Sequence, residues 1–129
     1  MLQHMKALFK VKIHIIAIAV TAVVLYLSLV KMPSYNAGIV HLDKLQHCFA
    51  YFILISLWLL VFSKKNKKYL IVLCCVLFGI LIEVLQNELT NYRTGDYLDV
   101  IANSIGVFLG LFVFNQIKKK LKLKKQKDL

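Results

Sequence analysis

The chain has 129 residues, 60% of them hydrophobic, with a mean hydropathy of +0.71 and a formal net charge of +11. That length accommodates one domain, and a soluble fold of this size could not cover so apolar an interior with polar surface. The charge would suit a soluble nucleic-acid binder, but the placement of the cations along the chain argues for a membrane topology and no nucleic-acid partner.

The first 12 residues form a basic segment with Lys6, Lys10 and Lys12. The apolar run Ile13–Val30 follows, and its 18 residues span about 27 Å as a helix, enough to cross hydrocarbon. It looks like a signal peptide, but it is longer than a usual apolar core and no small-x-small site follows the run before Lys31-Met32-Pro33, so it reads as a retained first helix. Pro33, Ser34, Asn36 and Gly38 mark a loop. Asp43, Lys44 and His47 open the second apolar run, Leu45–Phe62, where a carboxylate suits the positive end of a helix. The short turn Ser63–Lys68 makes helices two and three antiparallel neighbours. The third run, Tyr69–Gln86, closes on Glu83 and Gln86, and a polar loop over Asn87–Leu98 carries Arg93-Thr94-Gly95-Asp96. Asp99 and Asn103 open the fourth run, Val100–Ile117, which also holds Gly106-x-x-x-Gly110. That pair is a small-residue packing face for another helix, in this chain or in a second copy. Residues 118–129 are a lysine-rich tail.

These runs must be helices in a bilayer, since helices satisfy their own backbone hydrogen bonds. The expected architecture is all-α, a four-helix transmembrane bundle over 13–117 between a basic segment at 1–12 and a basic tail at 118–129. Three lysines precede helix one, four join helices two and three, and seven follow helix four, leaving only Lys31, Lys44 and Arg93 for the opposite side. The positive-inside rule then puts both termini in the cytoplasm, as a multi-pass protein of the cell membrane. The tail anchors this topology or grips anionic head groups. Cys48, Cys74 and Cys75 lie within apolar runs without zinc-type spacing and read as packing residues.

Polar groups inside hydrocarbon are costly, so an intramembrane Glu or His is a functional candidate. Counted from the cytoplasmic ends of their helices, His47, Glu83 and Asn103 all fall at about 21–22 Å depth. Asp43, Asn87 and Asp99 form a second tier at about 27–28 Å. The matched depths point to one shared cavity facing outward. Asp43, His47 and Tyr51 share a stripe of helix two, Glu83 and Gln86 one of helix three, and Asp99, Asn103, Gly106 and Gly110 one of helix four.

Glu83 and His47 admit three readings: a polar clamp between helices, an acid–base or substrate-binding pair, or ligands of a divalent cation. No compact two-His motif supports the last, so no metal and no cofactor are expected. Asp43, Lys44 and Asp96 would orient the site. Arg93 either forks onto an anionic group of a ligand or pairs with Asp96 or Asp99. Asp99 either caps helix four or belongs to the site, and Gln86 and Asn103 either bond between helices or touch a ligand.

In order, the motifs Asp43-Lys44-x-x-His47-x-x-x-Tyr51, Gly79-Ile80-x-x-Glu83-x-x-Gln86 and Arg93-x-x-Asp96-x-x-Asp99-x-x-x-Asn103-x-x-Gly106-x-x-x-Gly110 resemble the VanZ-like family across roughly residues 10–117. That family is named after a small membrane protein associated with resistance to the glycopeptide antibiotic teicoplanin. The resemblance implies a membrane protein acting at the cell envelope and supplies no assigned reaction.

Two functions compete. One is binding, or modification, of an envelope amphiphile such as a lipid-linked cell-wall precursor or glycopeptide-related ligand. Glu83 and His47 would then be its acid–base pair and Arg93 its anion clamp. The other is a non-catalytic structural or partner-binding protein whose polar layer locks helix packing. An ion-transport role is disfavoured, because no ionisable residue continues the polar path through the Leu-, Val- and Ile-rich inner half.

Overall fold

A computed structural model describes residues 1–30, 41–62, 66–92 and 95–129. The first loop, part of the basic turn and Arg93 lie outside the described residues. Four helices account for the fold: α1 (Leu2–Leu29), α2 (Leu42–Val61), α3 (Lys68–Leu89) and α4 (Tyr97–Lys127). Each is long and apolar enough to cross a membrane.

The helices outrun the apolar segments that mark them. α1 begins at Leu2 rather than Ile13, and α4 continues past Ile117 to Lys127. Hydropathy reports the width of a hydrocarbon layer, not where the backbone stops being helical. Met, Leu, Ala, Lys and Gln are all strong helix formers, so the basic flanks keep the helical geometry. At 31 residues, α4 is about 46 Å long, against a hydrocarbon core of about 30 Å. Lys124, Lys125 and Lys127 in its last turn suit the negative end of the dipole.

The chain runs up and down. One end of the bundle gathers the finish of α1 and α3 with the start of α2 and α4; this is the polar end. The other, lysine-rich end holds the start of α1 and α3 and the finish of α2 and α4. α2 and α3 each touch all three other helices, whereas α1 and α4 lie on opposite sides and do not meet among the described residues. The core is built by Tyr51, Leu54, Ile55 and Leu59 of α2, Ile71, Val72 and Cys75 of α3, and Val107 of α4. Large apolar side chains such as Ile15, Leu73, Leu77, Phe108 and Phe112 point outward, an exterior that suits lipid rather than water.

The closest approach is between α2 and α4, where the glycine face lies within the chain. A Cβ on Gly106 would overlap the Cys48 carbonyl oxygen, and one on Gly110 would overlap Ile55 Cγ2 and lie 3.2 Å from the Phe52 carbonyl oxygen. Only glycine lets these two backbones meet. α1 is the loosest element, with Ala17 its one buried residue. Hydrogen bonds from other elements hold it. Trp58 Nε1 donates to Thr21 Oγ1 at 3.1 Å, Gln86 Nε2 to the Ser28 carbonyl at 2.7 Å, and the Tyr92 hydroxyl to the Leu29 carbonyl at 2.6 Å. The last carbonyls of a helix have no partner within it, so Gln86 and Tyr92 cap α1 from outside. Cys48, Cys74 and Cys75 are free, and Cys74 is exposed rather than packed.

Candidate functional site

The polar end is organised around the start of α4. Asp96 is its N-cap, with the Oδ1 atom accepting from the Leu98 amide at 2.9 Å. An N-cap aspartate satisfies an amide that the helix cannot, which fixes where α4 begins. The other carboxylate oxygen, Oδ2, accepts from Lys44 Nζ of α2 at 2.6 Å. The Asp96 backbone amide donates to Glu83 Oε1 of α3 at 2.5 Å. One residue therefore joins three helices.

Lys44 is the electrostatic centre. Its ammonium lies 3.0 Å from Asp43 Oδ2 and also meets Asp96 and Asp99 Oδ1. Lys44 and Asp99 are 19% and 12% exposed, against 58% for Asp43, so the Lys44–Asp99 pair is the buried part of the cluster. Three carboxylates around one ammonium leave an excess of negative charge. The Lys44 ammonium and the Leu98 amide hold the Asp96 carboxyl below its ordinary value of 3.8.

His47, one turn deeper on α2, bridges to α4. Its Nδ1 lies 3.1 Å from Asn103 Oδ1, and its Nε2 lies 3.6 Å from Asp99 Oδ2. An Nδ1–H would donate to the amide oxygen, and a ring protonated on both nitrogens would also form an ion pair with Asp99. Another turn deeper, Tyr51 packs its ring against Gly79, where a Cβ would lie 3.2 Å from Tyr51 Cε1 and 3.3 Å from Asn103 Nδ2. The missing Gly79 side chain thus makes room for both. Among the described residues, two buried oxygens in this layer, Tyr51 Oη and Glu83 Oε2, have no hydrogen-bond partner.

Asp43, Lys44, His47, Glu83, Asp96, Asp99 and Asn103 therefore come together at the polar end. Glu83 and His47 occupy the same layer but spend their bonds elsewhere, Glu83 on the Asp96 amide and His47 on Asn103 and Asp99. Gln86 turns away to α1, and Gly106 and Gly110 lie deeper along α4 against α2. The carboxylates considered as partners for Arg93 are held by Lys44. Capping falls to Asp96, with Asp99 as the acidic residue of the first turn. The spacing Asp96-x-x-Asp99 is a capping signature legible in the sequence. Tyr51 and Gly79 gain roles that the motifs contain but do not explain. Among the described residues, no three His, Cys, Asp or Glu side chains converge as a metal-holding group.

Four helices of membrane-spanning length, closed at one end by a lysine–carboxylate cluster, define a small helical protein of membrane type. The chain belongs to the VanZ/LLP1 family, whose sequence profile matches residues 3–118. It is also similar to the uncharacterized protein C11E3.10 of Schizosaccharomyces pombe, with 33% identity over 73 residues. That match takes in 55% of this chain and 45% of the relative, so the chain spans under half the length of the relative. No solved structure matches the chain.

Proposed function

We propose that the chain is a multi-pass protein of the cell membrane, with both termini cytoplasmic, whose polar end faces outward and binds an envelope amphiphile. Its ligand class is a lipid-linked cell-wall precursor or a glycopeptide-related molecule such as teicoplanin. The apolar exterior and the lysine bias between the two ends support the placement.

The observation that carries the reading is the pair of buried oxygens on Tyr51 and Glu83 that have no partner among the described residues. Leaving a buried polar atom unpaired costs about 1–3 kcal/mol. A guest carrying both a donor and an acceptor, such as a sugar hydroxyl or an amide, would answer both atoms. Glu83 Oε2 is then the atom that exchanges a proton with the guest. His47, held by Asn103 and Asp99, is a positioning group.

The test is mass spectrometry of amphiphiles that copurify with the native chain and with Glu83→Gln and Tyr51→Phe. An amphiphile retained by the native chain and reduced about tenfold or more in both folded variants is the expected result. Equal retention in all three, or none in the native chain, overturns it.

One observation favours a second reading, a structural lock. Lys44 surrounds its ammonium with carboxylates from two helices, and Asp96 bonds to all three helices of the site. On that reading, Glu83→Gln lowers stability in detergent and leaves the bound amphiphiles unchanged.

A further inference from the structure

A second cavity lies toward the lysine-rich end, between α1, α2 and α3. It encloses about 430 Å³, within the range of small-molecule sites, and Thr21, Trp58, Ile71, Cys74 and Phe78 contribute to its wall, with Lys67 at its rim. It exists because of how α1 is attached. The hydrogen bonds from Gln86 and Tyr92 draw α1 toward α3 at the polar end, whereas deeper down α1 leans on α2 through Trp58 and through the contact of His14 with Phe62. A wedge is left between α1 and α3.

The chemistry of the wall selects the guest. The hydrogen-bonding groups of Trp58 and Thr21 are already occupied: Trp58 Nε1 donates to Thr21 Oγ1 at 3.1 Å, and the Thr21 hydroxyl donates to the Ala17 carbonyl at 2.7 Å. That leaves only the weakly polar thiols of Cys74 and Cys75 below the rim. A polar group entering there would lose its water and gain no strong hydrogen bond, so the guest is hydrocarbon. Phe78, backed by Tyr51 with ring centroids 6.4 Å apart, stands at the deep end of the cleft, between it and the polar cluster.

The rim selects the head group. Lys67 is the N-cap of α3, whose first turn contains no acidic residue, so a helix dipole and an ammonium both favour an anion there. We propose that this cleft holds one hydrocarbon chain of an anionic membrane lipid, with its phosphate against Lys67. The site is separate from the polar end and stands or falls without it.

The test uses the full chain in mild detergent, offered phosphatidylglycerol or phosphatidylcholine with identical acyl chains and observed by native mass spectrometry. One phosphatidylglycerol per chain is expected, retained about fivefold better than phosphatidylcholine, the effect of one lysine facing an anionic head group. Lys67→Gln should bring the two lipids level, and Ile71→Trp should fill the cleft and lower both. Phosphatidylglycerol should also slow alkylation of Cys74 in the native chain, a readout that needs no variant. Equal retention of the two lipids by the native chain, or a Cys74 rate indifferent to phosphatidylglycerol, overturns the proposal.

Discussion

Lys44→Met is the sharpest probe of the polar end. The substitution keeps the aliphatic stem and removes the ammonium, so Asp43, Asp96 and Asp99 are left facing one another. Asp43 is 58% exposed, and an exposed pair is worth about 0–1 kcal/mol. Asp99 is different: its side chain is 12% exposed and Lys44 is 19% exposed. Removing one partner of a buried ion pair costs about 3–5 kcal/mol, because the other charge stays buried without compensation. Lys44 is only partly buried, and His47 Nε2 stays 3.6 Å from Asp99. The expected destabilisation therefore lies between the exposed and buried values, about 1–3 kcal/mol, and comes mostly from Asp99. Reversible unfolding in mixed detergents, followed by circular dichroism, measures it. The double variant Lys44→Met/Asp99→Leu removes both charges, and an apolar replacement of a buried pair is often neutral or better. It should recover at least about 2 kcal/mol relative to the sum of the single changes. A Lys44→Met cost below about 1 kcal/mol, the exposed-pair value, would refute the assignment of this pair as buried and coupled.

Two further predictions concern the ends and the packing of the helices. Because Lys44 and the Leu98 amide lower the Asp96 carboxyl below 3.8 in the folded chain, its contribution is fully present above that value and is lost as pH falls through the depressed one. Unfolding titrations below about pH 4 should show this acid-side loss in the native chain and a smaller one in Asp96→Asn. Gly106→Ala should cost about 1–3 kcal/mol or more, since the new methyl meets α2 backbone that cannot rotate aside. Gly79→Ala, which meets only side chains at 3.2–3.4 Å, should cost less, and the reverse order in a detergent unfolding assay would contradict the close α2–α4 contact.

The four helices and the clustering of Asp43, His47, Glu83, Asp99 and Asn103 were legible in the sequence, because hydrocarbon leaves a chain few choices and polar intrusions there stand out. Helix ends were not. The lysine flanks are as helical as the apolar runs, and hydropathy does not register that. Pairing was also beyond periodicity, which states the face of a helix but not its neighbour. Asp43, His47 and Tyr51 mark one stripe of α2, yet Lys44, His47 and Tyr51 at i, i+3 and i+7 mark the more buried one, continuing into Leu54 and Ile55. That spacing would have pointed to Lys44 as a partner of Asp96 and Asp99. The separate roles of Gln86 and Glu83, three residues apart on α3, depend on where α1 leans. Local sequence holds no record of that.

The outside capping of α1 has a consequence in time. Gln86 follows Ser28 by 58 residues, and Tyr92 follows Leu29 by 63. At a synthesis rate of about 5–20 residues per second, roughly 3–12 seconds separate the making of Ser28 from the making of its partner. During that interval neither Gln86 nor Tyr92 is there to serve the Ser28 and Leu29 carbonyls. Where α1 leans at this end is then settled only when α3 arrives. A nascent chain arrested before Gln86 lacks both donors, so the last turn of α1 should fray more than in the finished protein.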